Sequence, residues 1–214
     1  MTGDNKSLTA EQIEVNKVII LKFLSRVGRT GMAELIAYIQ TTDFFMAPAS
    51  TKYHCSYEGG LAEHSLNVLK RLAAKKDTVQ IEQESMILCA LLHDLCKANV
   101  YTRIKKNVKD GMTVKNGKQV PNWIEVDAWD YDDKIPLGHG EKSVMMINIF
   151  VPLSMIELAM IRWHQGPEKQ GDFDTFYKAC AVWPEVVAMH NADMEATYIL
   201  EAAKPELICQ PESA

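Results

Sequence analysis

Leu91-Leu92-His93-Asp94-Leu95-Cys96-Lys97 (LLHDLCK) sets a histidine and an aspartate side by side inside an aliphatic run. Burying a chargeable pair so close to a core costs several kcal/mol unless something neutralises it. The rest of the chain must supply that partner. Directly before the pair, Met86-Ile87-Leu88-Cys89-Ala90-Leu91-Leu92 is apolar on every side. This predicts a helix over about 82–96 at the centre of a bundle, with His93 and Asp94 in its last turn.

Working outward, Leu61, His64/Ser65, Val68 and Leu72 recur at i, i+3/i+4, i+7 and i+11, one stripe of an amphipathic helix from Gly60 to near Lys76. His64 therefore faces inward. Thr9 and Gln12 form a capping box ahead of Ile13, Val18, Leu21 and Leu24, which predicts a first helix over about 10–27, stopped by Gly28. Met32, Leu35, Ile36 and Ile39 make a short second helix. TTDFFMAPASTKYHCSYEGG (41–60) has no sustained period and is a loop carrying His54. Between about 100 and 134 the pattern changes to short alternating runs such as Trp123-Ile124-Glu125-Val126, with Asp110-Gly111 and Asn116-Gly117 as turn signals. A β-hairpin insertion is expected there. Helical patterns resume over about 140–150, 153–164, 173–181 and 184–203. The fold class is an all-α bundle with a small β insertion, one domain over 1–204 and a loose tail at 205–214.

Composition narrows the function. The chain has 214 residues, 47% hydrophobic and 24% charged, as expected of a globular protein with one substantial core. A net charge of −5 argues against stable binding along nucleic-acid backbones, so a phosphate-bearing substrate would need a bound cation. Cys55, Cys89, Cys96, Cys180 and Cys209 are odd in number and contain no CxxC pair, which points to reduced thiols and a cytoplasmic protein. The N-terminal segment lacks signal-peptide character, and no apolar run approaches the ~18 residues of a membrane span.

Of six histidines, four stand at informative places: His64 on an apolar stripe, His93 beside Asp94, His139 in PLGHGEKS and His164 in RWHQG. Asp193 shares a partly buried face with Val186, Met189 and Thr197. Inward imidazoles and carboxylates on separate helices are jointly explained if they converge on a cation. Mixed nitrogen and oxygen donors favour Mn, Fe, Co, Ni or Zn over Ca or Mg.

The order His64, His93-Asp94, His139, His164 and Asp193, with GGLAEHSLNVL (59–69) and ALLHDLCK (90–97), resembles the HD-domain superfamily of metal-dependent phosphohydrolases over roughly residues 50–200. The resemblance implies a helical core whose first metal is held by His64, His93, Asp94 and Asp193. In two-metal members Asp94 would bridge, and His139 and His164 would bind the second ion. Within the superfamily the likeness is greatest to the HD half of bacterial 3′–5′ exoribonucleases, which share the Gly-Gly-Leu opening and an early histidine. Nothing before residue 50 is strand-like, so their RNA-gripping OB-fold is not expected, nor is processive nuclease action. The Gly-Tyr-Pro motif of cyclic-dinucleotide phosphodiesterases is absent. HDLCKAN also lacks the Glu-Asp pair of alarmone hydrolases.

The resemblance thus implies one or two divalent transition-metal ions and a metal-activated water. Asp94 would be the catalytic carboxylate nearest that water, and the substrate a nucleotide or other small phosphate ester. Lys97 contacts phosphate or offsets a helix dipole. His54 contacts substrate or lies at the surface. Lys142, one turn into a helix opened by His139, helps cradle an anion or is solvated. His190 reaches the site or makes a structural hydrogen bond. Trp123, Trp129 and Tyr131 cap the site or cover the bundle. Two alternatives use the same residues: a di-iron oxygenase of the superfamily, and a non-catalytic metal- or nucleotide-binding module.

Overall fold

The computed structural model describes residues 7–135 and 137–202. The proposed tail at 205–214, Cys209 and the end of the proposed domain lie outside the described residues. Among the described residues eight α-helices and one hairpin follow in the order α1 (Ala10–Leu24), α2 (Met32–Thr41), α3 (Gly60–Ala73), α4 (Gln83–Leu92), β1 (Tyr101–Lys115), β2 (Lys118–Tyr131), α5 (His139–Asn148), α6 (Met155–Arg162), α7 (Phe173–Val182) and α8 (Pro184–Glu195). This is the all-α bundle with a β insertion that the sequence patterning predicts.

One core joins α1 to α6 and α8, while Phe176 and Ala179 of α7 pack with Ala159, Trp163 and Val186 in a second, smaller cluster. Ile20, Leu24, Leu35, Ile39, Leu61, Val68, Leu72, Leu88, Leu91, Leu92, Ile147, Met160 and Met189 are all in one buried cluster. α4 is central, with Ile87 through Leu92 buried on all sides, as its unbroken apolar run requires. α3 packs against both α4 and α8. The α3–α8 contact is closed at its rim by Glu195, which accepts from Arg71 at 2.9 Å and from Lys75 at 2.6 Å.

The Thr9–Gln12 capping box forms in both directions. α1 nevertheless ends at Leu24, short of the predicted 27, because the chain must turn to bring Gly28 N–H onto Glu84 Oε1 at 2.8 Å. Arg29 then reaches Glu157 on α6, an ion pair at 2.7 Å whose carboxylate side chain is fully buried. Glu157 also completes the Ser154 capping box that starts α6.

The hairpin runs in register from Tyr101↔Tyr131 to Lys115↔Lys118. Asn116 and Gly117 both have positive φ, 51° and 75°, and form its turn as the Asn-Gly signal predicts. Asp110-Gly111 is not a second turn. It lies in the register shift between Lys109 and Met112, where Gly111 at φ 73° takes up the extra residue of a β-bulge.

Candidate metal centre

α4 stops one residue before the His-Asp pair. His93 caps the helix, Asp94 leaves it at φ −105° and ψ 19°, and a single 3₁₀ turn follows over Leu95–Lys97. The pair therefore does not sit in the last helical turn. Two neighbours on a helix would diverge by about 100°, whereas the break lets His93 Nε2 and Asp94 Oδ2 approach to 3.4 Å.

Asp94 lies at the middle of the cluster, and its two oxygens face different imidazoles. Oδ2 faces His93 Nε2 at 3.4 Å and His64 Nε2 at 3.7 Å. Oδ1 faces His139 Nε2 at 2.6 Å and His164 Nε2 at 3.3 Å. Asp193 of α8 closes the first group, with Oδ1 at 3.1 Å from His64 Nε2. The structure thus brings together all six residues that the resemblance implies as ligands. His64, His93, Asp94 and His164 are at most 1% exposed.

The fold makes this convergence unavoidable for His139 and His164. α5 and α6 pack together after a tight turn, so the start of one meets the end of the other. Gly140 permits this, since a Cβ there would run into the Arg162 backbone carbonyl. The two imidazole centroids are 5.5 Å apart.

Backbone carbonyls fix two of the rings. His93 Nδ1 lies 2.9 Å from Ala90 O and His164 Nδ1 lies 2.6 Å from Ile161 O. A carbonyl can only accept, so each Nδ1 carries the proton and each Nε2 presents a lone pair. Those lone pairs face Asp94 oxygens, and His164 Nε2 has no hydrogen-bond partner among the described residues. His64 Nδ1 faces both oxygens of Glu201, at 3.1 and 3.0 Å, which leaves its Nε2 toward Asp193.

Charge in the cluster is strongly coupled. Burial lowers the His64 pKa, but Asp193 and Glu201 outweigh it and raise it to about 10. Burial likewise opposes protonation of His139, but Asp94 brings its pKa up to about 9. Burial would raise Asp94, yet Lys97, His93 and His139 hold it well below the usual carboxylate range. The cluster is a negative pocket that draws positive charge inward.

Other residues fall as follows. Lys97 is buried and gives its ammonium to Asp94 Oδ2 at 2.7 Å. Lys142 is buried rather than solvated and pairs with Asp133 at 2.5 Å. It lines a cleft of about 410 Å³ that also touches Tyr131, Gly138, His139 and Lys169 and opens beside the cluster. Tyr131, at the hairpin base, therefore borders this cleft. The His54 ring lies 4.8 Å from that of His64; its pKa falls to about 4 through burial and repulsion by His64 and Lys97. His190 makes the structural hydrogen bond, donating from Nδ1 to His164 O at 2.8 Å.

Two residues were not singled out from sequence. Glu201, with a side chain 1% exposed, reaches His64 because α8 passes into a π-helical turn over Ala196–Leu200. Such turns are frequent at functional sites, but composition does not mark them. Cys96, read as a buried thiol, places Sγ 3.3 Å from His139 Nδ1. Its position two residues after Asp94 was the available signal.

A helical bundle built around one buried histidine–aspartate pair and ringed by further imidazoles is a recognisable class. Residues 61–171, just over half the chain, match the HD domain model, and the chain belongs to the HD domain family. A stretch of 63 residues is 40% identical to a dihydroneopterin 2′,3′-cyclic phosphate phosphodiesterase of Methanocaldococcus jannaschii, covering 27% of this chain and 25% of that protein. The chain therefore aligns with about a quarter of that relative's length. No solved structure matches. Among the described residues no helix is long and apolar enough to cross a membrane.

Proposed function

We propose that this protein is a metal-dependent phosphohydrolase that cleaves a phosphate ester of a nucleotide or similar small molecule. The carrying observation is the division of the Asp94 carboxylate between two pairs of imidazoles. The relative's name, a cyclic phosphate phosphodiesterase, supports a diester as the first substrate to try.

The donors fit a divalent transition ion. Imidazole lone pairs held against carboxylate oxygens repel unless a cation or proton lies between them, and His164 Nε2 has no protein hydrogen-bond donor to relieve this. His64, His93, Asp94 and Asp193 would hold one ion, and Asp94, His139 and His164 a second. Such ions supply Lewis acidity at a phosphoryl oxygen and bring the pKa of water toward neutrality.

The remaining chemistry belongs to the chain. Asp94 stays ionised beside Lys97 and accepts a hydrogen bond from the water that attacks phosphorus in line. Lys97 keeps positive charge at the reacting centre. Lys142 and the amides that open α5 border the cleft where the ester would enter, and α5 presents its positive end there. His54 is neutral at pH 7 and sits against His64, where it can contact substrate. The acidic chain as a whole favours a small substrate over a polymer.

The test is turnover by protein loaded separately with Mn²⁺, Fe²⁺, Co²⁺, Ni²⁺, Zn²⁺ or Mg²⁺, against 2′,3′- and 3′,5′-cyclic nucleotides, nucleotide monoesters and generic diesters. Hydrolysis that disappears in Asp94→Asn is the expected result. Absence of turnover under every loading would remove the proposal and favour a binding module. Oxygen consumption without cleavage of any phosphate ester would favour an oxygenase.

A further inference from the structure

We propose that the outer face of α1 is a self-association surface, on which α1 of a second copy of this chain packs antiparallel about a two-fold axis midway between Val15 and Val18. The inference stands apart from the metal centre and from the proposed chemistry.

α1 is apolar on two opposite sides. Ile13, Ile20 and Leu24 are buried against the bundle. Val15, Val18 and Ile19 are instead 50%, 54% and 37% exposed. Sequence spacing sets Val18 in line with Ile13, Leu21 and Leu24, but the fold turns it to solvent. At about 100° per residue, Glu11, Val15, Val18 and Lys22 lie in one strip roughly 60° wide, with Glu14 and Ile19 on its borders. A depression of about 370 Å³ is lined by Glu11, Glu14, Val15, Val18 and Ile19. It is a hole of the kind that takes a side chain from a facing helix.

Along the strip the order is acid, apolar, apolar, base. Its complement reads base, apolar, apolar, acid, which is the same helix run backwards. At 1.5 Å per residue, Val15 and Val18 lie roughly 2 Å to either side of their midpoint, and Glu11 and Lys22 roughly 8 Å to either side of the same point. A two-fold axis there sets Val15 on the partner's Val18 and Glu11 on the partner's Lys22, and each contact occurs twice. Among the described residues Glu11 and Lys22 make no ion pair, whereas Glu14 is joined to Lys17 at 3.6 Å. A parallel pair would set Glu11 on Glu11 and Lys22 on Lys22, so like charges select the antiparallel one. One helix pair lies at the small end of interfaces, below about 1,200 Å² of buried surface, so the dimer is a reversible one.

The test is sedimentation equilibrium of the full-length protein from micromolar to millimolar concentration, where the mass should rise toward that of two chains. Val18→Asp should weaken association by about tenfold or more, because each dimer buries Val18 twice. Glu11→Lys and Lys22→Glu should each weaken it too, since like charges then meet at both ends. Mixed in equal amounts, these two variants should associate more tightly than either alone, because each end again pairs opposite charges. Circular dichroism of each variant checks that α1 is still folded. A monomer at every concentration would overturn the inference. So would a dimer indifferent to these substitutions, which uses another face, or a mixture no tighter than its components, which excludes the antiparallel register.

Discussion

Glu201 receives the Nδ1 proton of His64 on both carboxylate oxygens, at 3.1 and 3.0 Å, although the two residues are 137 apart in sequence. Asn67 donates to the same carboxylate at 2.9 Å. The arrangement fixes one ring proton on Nδ1, so that Nε2 is the nitrogen turned toward Asp193 and Asp94 and the one that would give up its proton to an entering ion. Carboxylates behind ligating histidines are worth roughly 10–100-fold in metal affinity. Glu201→Ala should weaken the first equivalent of Zn²⁺ by about that factor, measured by chelator competition, with the circular dichroism spectrum retained. Unchanged affinity would leave Glu201 a purely structural residue.

Asp94 faces two groups, so its loss and the loss of one group should differ. His139→Ala combined with His164→Ala should lower bound metal from about two ions to about one and abolish phosphatase activity. Asp94→Ala should lose both. Elemental analysis of gently purified protein distinguishes these outcomes. Full metal content in the double variant would reduce His139 and His164 to packing residues.

Gly140 holds the α5 start against the α6 end. Gly140→Ala forces a methyl group into the Arg162 carbonyl, a backbone atom that cannot swing aside. Overpacking of this kind costs about 1–3 kcal/mol. The variant should also bind the second ion more weakly than the first, because His139 and His164 are pushed apart. Urea denaturation and a two-equivalent Zn²⁺ titration check both parts.

The Arg29–Glu157 pair gives a pH-dependent prediction away from the centre. Burial raises the Glu157 pKa, but Ser85, the Ser154 amide and Arg29 lower it further, leaving it below its ordinary 4.5. A depressed folded pKa adds stability above the unfolded value and loses it as pH falls through the folded value. Arg29→Met should therefore cost about 3–5 kcal/mol at pH 7, where it strands a buried charge. The deficit should shrink below about pH 4.5, where Glu157 of the variant is already protonated. Denaturant midpoints at the two pH values test the sign.

Local chemistry was legible in the sequence, and tertiary chemistry only where buried charge demanded a partner. Thr9–Gln12, Asn116-Gly117 and the stripe through Leu61, Val68 and Leu72 declare their structures because the deciding contacts lie within a few residues. His64, His93, Asp94, His139, His164 and Asp193 could be gathered because inward chargeable side chains need partners. Asp110-Gly111 misled because the same dipeptide suits a turn and a bulge, and only strand register separates them. The early end of α1 depends on Glu84, 56 residues away from Gly28. Lys142 reads as an anion contact or a solvated lysine until Asp133 is folded over it.

His93 directly follows the end of α4, His164 stands one residue further from the end of α6, after the capping Trp163, and each gives its Nδ1 proton to the carbonyl three residues earlier. A helix leaves its last carbonyls without partners, so one bond both finishes the helix and aims the ring. Little rotational freedom is then left for a cation to remove on arrival, and its capture draws on order already established by folding. The same economy makes the centre a gauge of its scaffold: fraying of the last turn of α4 or α6 frees an imidazole to rotate away, and affinity for the ion falls before the bundle itself comes apart.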